Sequence, residues 1–370
     1  MKILVAGGGY AGMSCLMELA RRLPDSQRVL IDPARDHLKL TRLHEALQHG
    51  IDRYRLPFAG LAGRYGFEHR RARPRLGLQT LVRASERGRL ALPGGEVEFD
   101  VLVVAVGARP RPRPGKSGWL GLADLKHRDG RRLIRQLSDL PARSRVTVVG
   151  GGATGLQYLF ELNDALRRAG GRCRLRLVDG GERLLPGLPG TFHQYLVRRM
   201  AQSDIEYLAE TRLLEAETGG MRVTTPTGRG RHLASARSLV FAGLRGNPVM
   251  LDTNVAGQVL VGGVPLPNVF AAGDCSLYAG RGFNAASAQA AVRKGRHVAE
   301  AIQRLAEGRP LPVYGARELG FFLSMGTLDG IGWMGLRRGI VTGLPAFAVR
   351  EAIEARYELF LAGLDTYQVL

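Results

Sequence analysis

The sequence predicts an α/β chain in which one strand–turn–helix domain is inserted into another, with a small hairpin-plus-helix region at the carboxy end. Three observations predict it. A glycine loop, Gly7-x-Gly9-x-x-Gly12, follows the apolar run Lys2–Ala6. A second loop, Gly150-x-Gly152-x-x-Gly155, follows the run Val146–Val149 roughly 140 residues later. A third apolar run, Asn268–Ala272, then enters Gly273-Asp274 and a helix-forming stretch, so the chain returns to its first domain after completing the second.

Each loop has a physical rationale. The first glycine permits the tight turn from strand to helix, and the second lets backbone approach a pyrophosphate. The third lets helix and strand pack closely, and the helix N-terminus receives the anion. Two such loops imply two Rossmann-like dinucleotide-binding domains in one chain. A protein holding two dinucleotides usually passes electrons between them.

Bulk properties agree with a folded chain. At 370 residues the length suits two or three domains, and 45% hydrophobic with 23% charged residues is ordinary for a globular protein. Cys15, Cys173 and Cys275 are odd in number and widely spaced, which argues against a disulfide framework or a cysteine metal site and fits a reducing cytoplasm. No metal-ligand spacing is present. The first residues read as a β-strand rather than a signal peptide, because glycines interrupt the apolar run early. No run reaches the roughly 18–20 apolar residues of a spanning helix.

The net charge of +20 is nearly all arginine spread along the chain, since lysine occurs only at Lys2, Lys39, Lys116, Lys126 and Lys294. No basic helix, stacking platform or zinc spacing accompanies it, so a nucleic-acid partner is not expected. An arginine-rich solvated surface explains the charge. Attraction to an anionic membrane or an acidic partner is the functional alternative, and the clusters Arg70–Arg75 and Arg109–Arg113 are the segments that would serve it.

Taken in order, the first unit runs strand, turn, helix (about 10–23) and a second strand Arg28–Ile31 closing on Asp32. Asp32 stands twenty residues beyond Gly12, the distance at which a carboxylate meets a ribose hydroxyl; alone it would read as a surface turn residue. Gly94-Gly95 reads as a hairpin turn. The strand Val101–Ala105 follows and ends at Gly107-Ala108, before the proline-rich Arg109–Pro114 stretch marks a boundary. The second unit repeats the plan with a helix over about 154–168 and the strand Arg174–Val178 closing on Asp179. That carboxylate favours a free ribose hydroxyl, hence NADH over NADPH, with Arg183 nearby as the opposing influence. Ala285–Leu305 has helix composition. Asp329-Gly330 reads as a hairpin dipeptide between Phe321–Met325 and Ile331–Met334. Pro345 opens a helix to about Leu361 whose expected inner face is Val349, Ile353, Tyr357, Phe360 and Leu361, with Glu351, Glu354 and Glu358 opposite. That face would pack on the domain body, on a second subunit in a homodimer, or in a bilayer interface.

These segments together resemble the two-dinucleotide flavoprotein (FAD/NAD(P)-dependent pyridine nucleotide) oxidoreductases, and among them the type II NADH dehydrogenases (NADH:quinone oxidoreductases) and their NADH dehydrogenase-like relatives. The resemblance rests on Gly7–Gly12, Val101–Ala108, Gly150–Glu161, Asn268–Asp274, Ala288–Ala291, Arg42–Glu45 and Ser324–Gly330. It implies FAD in a first domain of 1–113 and 249–317, NAD(H) in an inserted domain of 114–248, and a membrane or dimer contact in 318–370. Gly7, Gly9, Gly12, Asp32, Arg42, Gly107, Ala108, Gly273, Asp274, Ala288 and Gln289 would serve FAD, with Asp274 on the ribityl chain. The helix entered through Ser287–Gln289 would aim its positive end at the flavin ring. Gly150, Gly152, Gly155 and Asp179 would hold NADH.

Two positions depart from the family pattern. Gln157 stands where a glutamate usually follows the second loop near the nicotinamide, so it can bind an amide but cannot take up a proton. Gln289 keeps the first glutamine of the quinone-site pattern, while Arg293 replaces the second. Gln157, Gln289 and Arg293 are therefore the candidate catalytic residues. Cys275 is expected as a small buried residue near the cofactor, and His44 as a structural histidine. The implied activity is an FAD-dependent enzyme passing hydride from NADH to FAD and electrons to a second acceptor, a quinone, at the inner face of the cell membrane. The alternatives are a soluble reductase of a protein or small molecule, and a slow-turnover NADH-sensing flavoprotein.

Overall fold

The computed structural model describes every residue except 112–117, 226, 247–249, 281 and 367–370. The expected domain boundaries at 113/114 and 248/249, and part of the Arg109–Pro114 stretch, lie outside the described residues. Among those described, five helices have thirteen or more residues: α1 (Tyr10–Arg22), α2 (Ala153–Arg168), α3 (Gly190–Gln202), α4 (Ala288–Ala306) and α5 (Leu344–Leu361). Contacts divide the chain into two units, one of Met1–Lys39, Arg55–Arg109 and Leu244–Glu318, the other of Leu40–Tyr54, Pro110–Gly243 and Leu319–Leu370.

In the first unit the apolar run Lys2–Ala6 becomes an inner strand of an eight-stranded sheet. It runs parallel to Gln27–Ile31 on one side (Leu4 opposite Val29) and to Val101–Val104 on the other (Leu4 opposite Leu102). Phe67–Arg70 extends the first side and Val264–Ala271 the second, all parallel. The near-continuous Val/Leu/Ile content of these strands is what a sheet covered on both faces requires. Because the chain leaves Lys2–Ala6 toward opposite sides in its successive connections, the carboxyl end of this strand is a topological switch point, where ligands bind in open α/β sheets. Helices α1 and α4 press together there: a Cβ at Gly295 would stand 2.2 Å from the Ala11 carbonyl oxygen. Buried Glu18 on α1 is neutralised by Arg21, by Arg22 Nε at 2.6 Å and by Arg296 of α4 at 3.6 Å.

The second unit holds a five-stranded parallel sheet in the order Trp119–Gly121, Arg237–Val240, Arg145–Val149, Arg174–Val178, Glu206–Leu208. An antiparallel meander of Arg212–Glu217, Gly220–Thr224 and Gly230–Ala234 packs Met221, Val223 and Leu233 with Val149, Val178 and Val240. A second antiparallel sheet, Gly320–Ser324, Gly330–Met334 and Ile340–Thr342, precedes α5. The Gly94-Gly95 turn joins Arg89–Leu92 to Gly95–Glu98 as expected.

Three expectations need correction, and one is sharpened. Ala108–Pro110 form a short strand beside Leu244–Gly246, because proline is tolerated on a strand that needs no donor at that position. Within the helix-forming stretch Ala285–Leu305 only the first three residues stay outside α4, which starts at Ala288 as the resemblance implies, with Ser287 capping it by accepting from the Ala290 amide at 3.2 Å. The Asp329-Gly330 pair is not the tip of a two-residue turn. The connection spans Met325–Asp329 with Gly326 and Leu328 at positive φ, and Asp329 accepts from Tyr195 Oη and Arg199 Nε, each at 2.7 Å. Finally, α5 buries Ala346, Arg350, Glu354, Tyr357, Phe360 and Leu361, while Ile353 is exposed. Glu354 turns inward because buried Arg350 and Thr41 give it partners, which periodicity alone does not register.

Candidate functional site

The glycine loop of the first unit is built tightly at two positions and openly at a third. Gly7 has φ +106°, and a Cβ on it would meet the Ala105 carbonyl at 2.4 Å. A Cβ on Gly12 would lie 1.8 Å from the Gly7 carbonyl oxygen, so α1 packs against its own loop only through a glycine. At Gly9, by contrast, no protein atom lies within 4 Å of a Cβ, and its φ of −75° is ordinary. Protein packing therefore explains Gly7 and Gly12 but not Gly9. A pyrophosphate approaching the backbone explains the third. The Asp32 carboxylate accepts from the Gly8 amide at 2.7 Å and from the Ala34 amide, also at 2.7 Å. The Gly8 carbonyl accepts from His37 Nδ1 at 2.9 Å; burial holds His37 down to about 4, so its ring is neutral.

The second unit repeats this arrangement atom for atom in kind. Gly150 has φ +104° and its Cβ would meet the Phe241 carbonyl at 2.3 Å. A Cβ on Gly155 would stand 1.9 Å from the Gly150 carbonyl oxygen, and one on Gly152 would meet nothing within 4 Å. Asp179 accepts from the Gly151 amide at 2.5 Å and the Gly181 amide at 2.8 Å. No side chain caps the N-terminus of α1 or α2, so the positive end of each helix dipole is available to an anion. Both loops thus fit a dinucleotide. Arg183 is turned to the Leu188 carbonyl at 3.0 Å.

Asp274 follows Gly273, whose φ is +82°. Its carboxylate receives no hydrogen bond from any described residue, and burial raises it to about 6 against the opposing charge of Lys294. A partly buried acceptor left open in this way suits the hydroxyls of a ribityl chain. Gly107 has φ +67° with open space at its Cβ, and Ala108 begins the short strand after it. Ala288 and Gln289 form the first turn of α4. Arg293, on the same helix, donates to the Arg317 carbonyl. Cys275 is fully buried, its thiol lying 3.5 Å from the Val104 carbonyl oxygen, and burial pushes it up to about 11, so it is no thiolate at neutral pH.

In the second unit Gln157 donates to Ser324 Oγ at 3.3 Å, and the same oxygen lies 2.8 Å from His44 Nε2. His44 is buried, faces the Tyr158 ring edge-on and is held at about 3 by burial and by Arg350, which makes it a neutral structural histidine. Arg42 pairs with Glu45 at 2.7 Å and Glu351 at 3.0 Å. Glu45 also takes Arg350 at 2.5 Å and the Tyr54 hydroxyl at 3.0 Å.

Sequence reasoning passed over Glu161. It lies one turn after Gln157 on α2, receives a hydrogen bond from Gln48, and is raised by burial to about 7. The i,i+4 spacing from Gln157 was the available signal. No group of described residues could hold a metal ion, and no described helix is long and apolar enough to cross a membrane.

Residues 1–295 match the family described as pyridine nucleotide-disulphide oxidoreductase. A type II NADH:quinone oxidoreductase of Staphylococcus epidermidis is 25% identical across 98% of this chain and 96% of its own length. Its counterpart in Staphylococcus aureus is 23% identical across 98% and 96%. Among solved structures, the sulfide:quinone oxidoreductase of Aquifex aeolicus superposes with a TM-score of 0.80 at 14% identity, covering 97% of this chain and 91% of that one. NDH2 of Plasmodium falciparum, solved with NADH, gives 0.77 at 12% identity, covering 92% and 91%. These likenesses bear out the expected α/β fold of two dinucleotide-binding domains.

Proposed function

The chain belongs to the pyridine nucleotide-disulphide oxidoreductase family, and we propose that within it this protein carries electrons from NADH to a quinone. Membership makes it an FAD- and NAD(H)-dependent oxidoreductase. The observation that supports two dinucleotides exchanging electrons is the duplicated loop, in which Gly8–Asp32 and Gly151–Asp179 repeat one hydrogen bond. We assign FAD to 1–113 with 249–317, and NADH to 114–248. The curated relatives are named for quinone reduction, which supports the choice of acceptor.

FAD, when bound, would supply the redox chemistry that links NADH to a second acceptor and that no side chain here provides. The residues supply position. Asp32 and Asp179 each fix their loop and offer remaining lone pairs to a ribose. Asp274 accepts from ribityl hydroxyls, and α4, entered at Ala288-Gln289, places positive dipole where charge accumulates. Gln157, held by Ser324, offers an amide to the nicotinamide carboxamide and no titrating group. Proton uptake near it falls instead to Glu161.

A second reading, a soluble acceptor, is favoured by Arg293, which occupies the place of the family's second quinone-site glutamine and is turned to Arg317. Anaerobic stopped-flow mixing separates the two. Fast bleaching of the flavin by NADH followed by fast recovery with a quinone analogue supports the first. Bleaching without such recovery selects the second, slow bleaching points to a sensing role, and a protein that takes up no FAD overturns both.

For 318–370 we propose contact with an anionic membrane. Leu336 is 78% and Met334 61% exposed beside the exposed Arg337-Arg338 pair. Flotation of the full chain with anionic liposomes, and its loss on Leu336→Asp with Met334→Asp, tests this; equal flotation of both leaves a dimer contact as the alternative.

A further inference from the structure

Lys294 is 1% exposed, on the buried side of α4. Its Nζ donates to the Ser276 carbonyl at 2.7 Å, reaches Ser276 Oγ at 3.4 Å, and sits 4.9 Å from the centre of the Tyr278 ring. Ser276 in turn closes the Gly273–Ser276 turn, donating its amide at 3.1 Å and its hydroxyl at 2.7 Å to the Gly273 carbonyl. Tyr278 anchors the far side by donating to the Ala271 carbonyl at 2.8 Å. The turn that presents Asp274 is therefore held from below by an ammonium group.

Burying an ammonium is costly when most of its partners are neutral. A methionine would fill this space without that cost. The compensation must lie in what the charge does, and the carboxylate acting on it is Asp274. Resting on the assignment of FAD to this unit, we propose that Lys294 is a positioning residue that holds the Asp274 turn for the ribityl chain and adds a fixed positive charge that favours the reduced cofactor. The charge is present at neutral pH, because burial brings Lys294 down only to about 8, with the Asp274 carboxylate opposing the fall. The other ionisable groups around it are the Tyr278 phenol, with His297 and Tyr314 against that ring and Cys15 on α1. None of these titrates near pH 8: His297 is lowered from the ordinary histidine range, and the thiols and phenols are all raised.

The test is made on the full chain loaded with FAD, with K294M and K294Q beside the wild type. FAD dissociation is read by flavin fluorescence, and the two-electron midpoint potential by equilibration with dyes of known potential. K294M is expected to bind FAD at least tenfold more weakly and to have a lower potential. A tenfold loss in the preference for reduced over oxidised cofactor corresponds to about 30 mV. K294Q, which can still donate to Ser276, is expected to recover affinity but not potential. In the wild type the potential should fall more steeply with pH above about 8, where reduction begins to draw a proton to Lys294. That readout needs no variant, so failure of K294M to fold leaves it intact. Wild-type affinity and potential in K294M, or a wild-type slope unchanged through pH 8, overturns the proposal. A wild-type chain that takes up no FAD overturns the functional assignment instead.

Discussion

Arg350 and Glu45 stand 305 residues apart in sequence and meet at 2.5 Å, both nearly sealed from solvent. Glu45 is thereby drawn down to about 2: burial opposes its ionisation, and the Arg350 charge, helped by Arg42, outweighs it. This pair ties α5 to the Leu40–Tyr54 segment inside one unit. R350M should cost about 3–5 kcal/mol, because it strands a buried carboxylate. Urea denaturation monitored by tryptophan fluorescence measures it, and the double variant with E45Q should regain much of the loss.

The two loops predict a contrast between glycines of one motif. G12A and G155A drive a Cβ to within 2 Å of backbone oxygen and should destabilise the apoprotein. G9A and G152A meet no protein atom and sit at ordinary φ, so their melting temperatures should stay near wild type. They should nonetheless lose FAD and NADH binding respectively, read by fluorescence and calorimetry. An unaltered affinity in either open-position variant would sink the assignment of its loop.

Glu161 predicts a pH signature. Burial raises it to about 7, so between about pH 4.3 and 7 the folded chain keeps a proton that the unfolded chain has released. Its contribution is therefore greatest in acid and declines as pH rises through that window, by up to about 3 kcal/mol. Glu45 acts in the opposite sense, its contribution complete above about pH 4.3 and lost as pH falls toward 2. Subtracting the stability curve of E161Q from that of the wild type should isolate the first trend. A flat difference curve would remove Glu161 from consideration as a proton acceptor.

Asp179 predicts cofactor preference. Each of its two oxygens accepts from one loop amide, Gly151 or Gly181, which positions the carboxylate at the end of its strand. D179N keeps one acceptor and removes the charge. The ratio of kcat/KM for NADH over NADPH should fall about tenfold, equal to about 1.4 kcal/mol. An unchanged ratio would move the preference to other residues, with Arg183 the first to examine.

Much of this was legible in the chain. The strands Lys2–Ala6 and Arg145–Val149, both loops, Asp32 and Asp179 follow from apolar runs, glycine spacing and a carboxylate at a set distance, all local patterns. Helix α5 was legible in extent but not in rotation. Its inner face carries Arg350 and Glu354, and a rule that places charge outside cannot see that the partners Glu45 and Thr41 arrive from the other end of the sequence. Asp329-Gly330 misled in the same way, because Tyr195 and Arg199 recruit the aspartate away from a simple turn.

By itself, then, the sequence determined the α/β class, the duplicated loop-and-carboxylate plan and the position of most helices. These depend on backbone geometry and on side-chain periodicity within a few residues. Tertiary structure alone decided that Leu40–Tyr54 joins the second unit, that burial raises Glu161 to about 7 against the opposing hydrogen bond from Gln48, and that Lys294 lies sealed beneath the turn bearing Asp274. The physical reason is common to all three. A buried charge is tolerable only where its partners are, and partners distant in sequence are chosen by the fold.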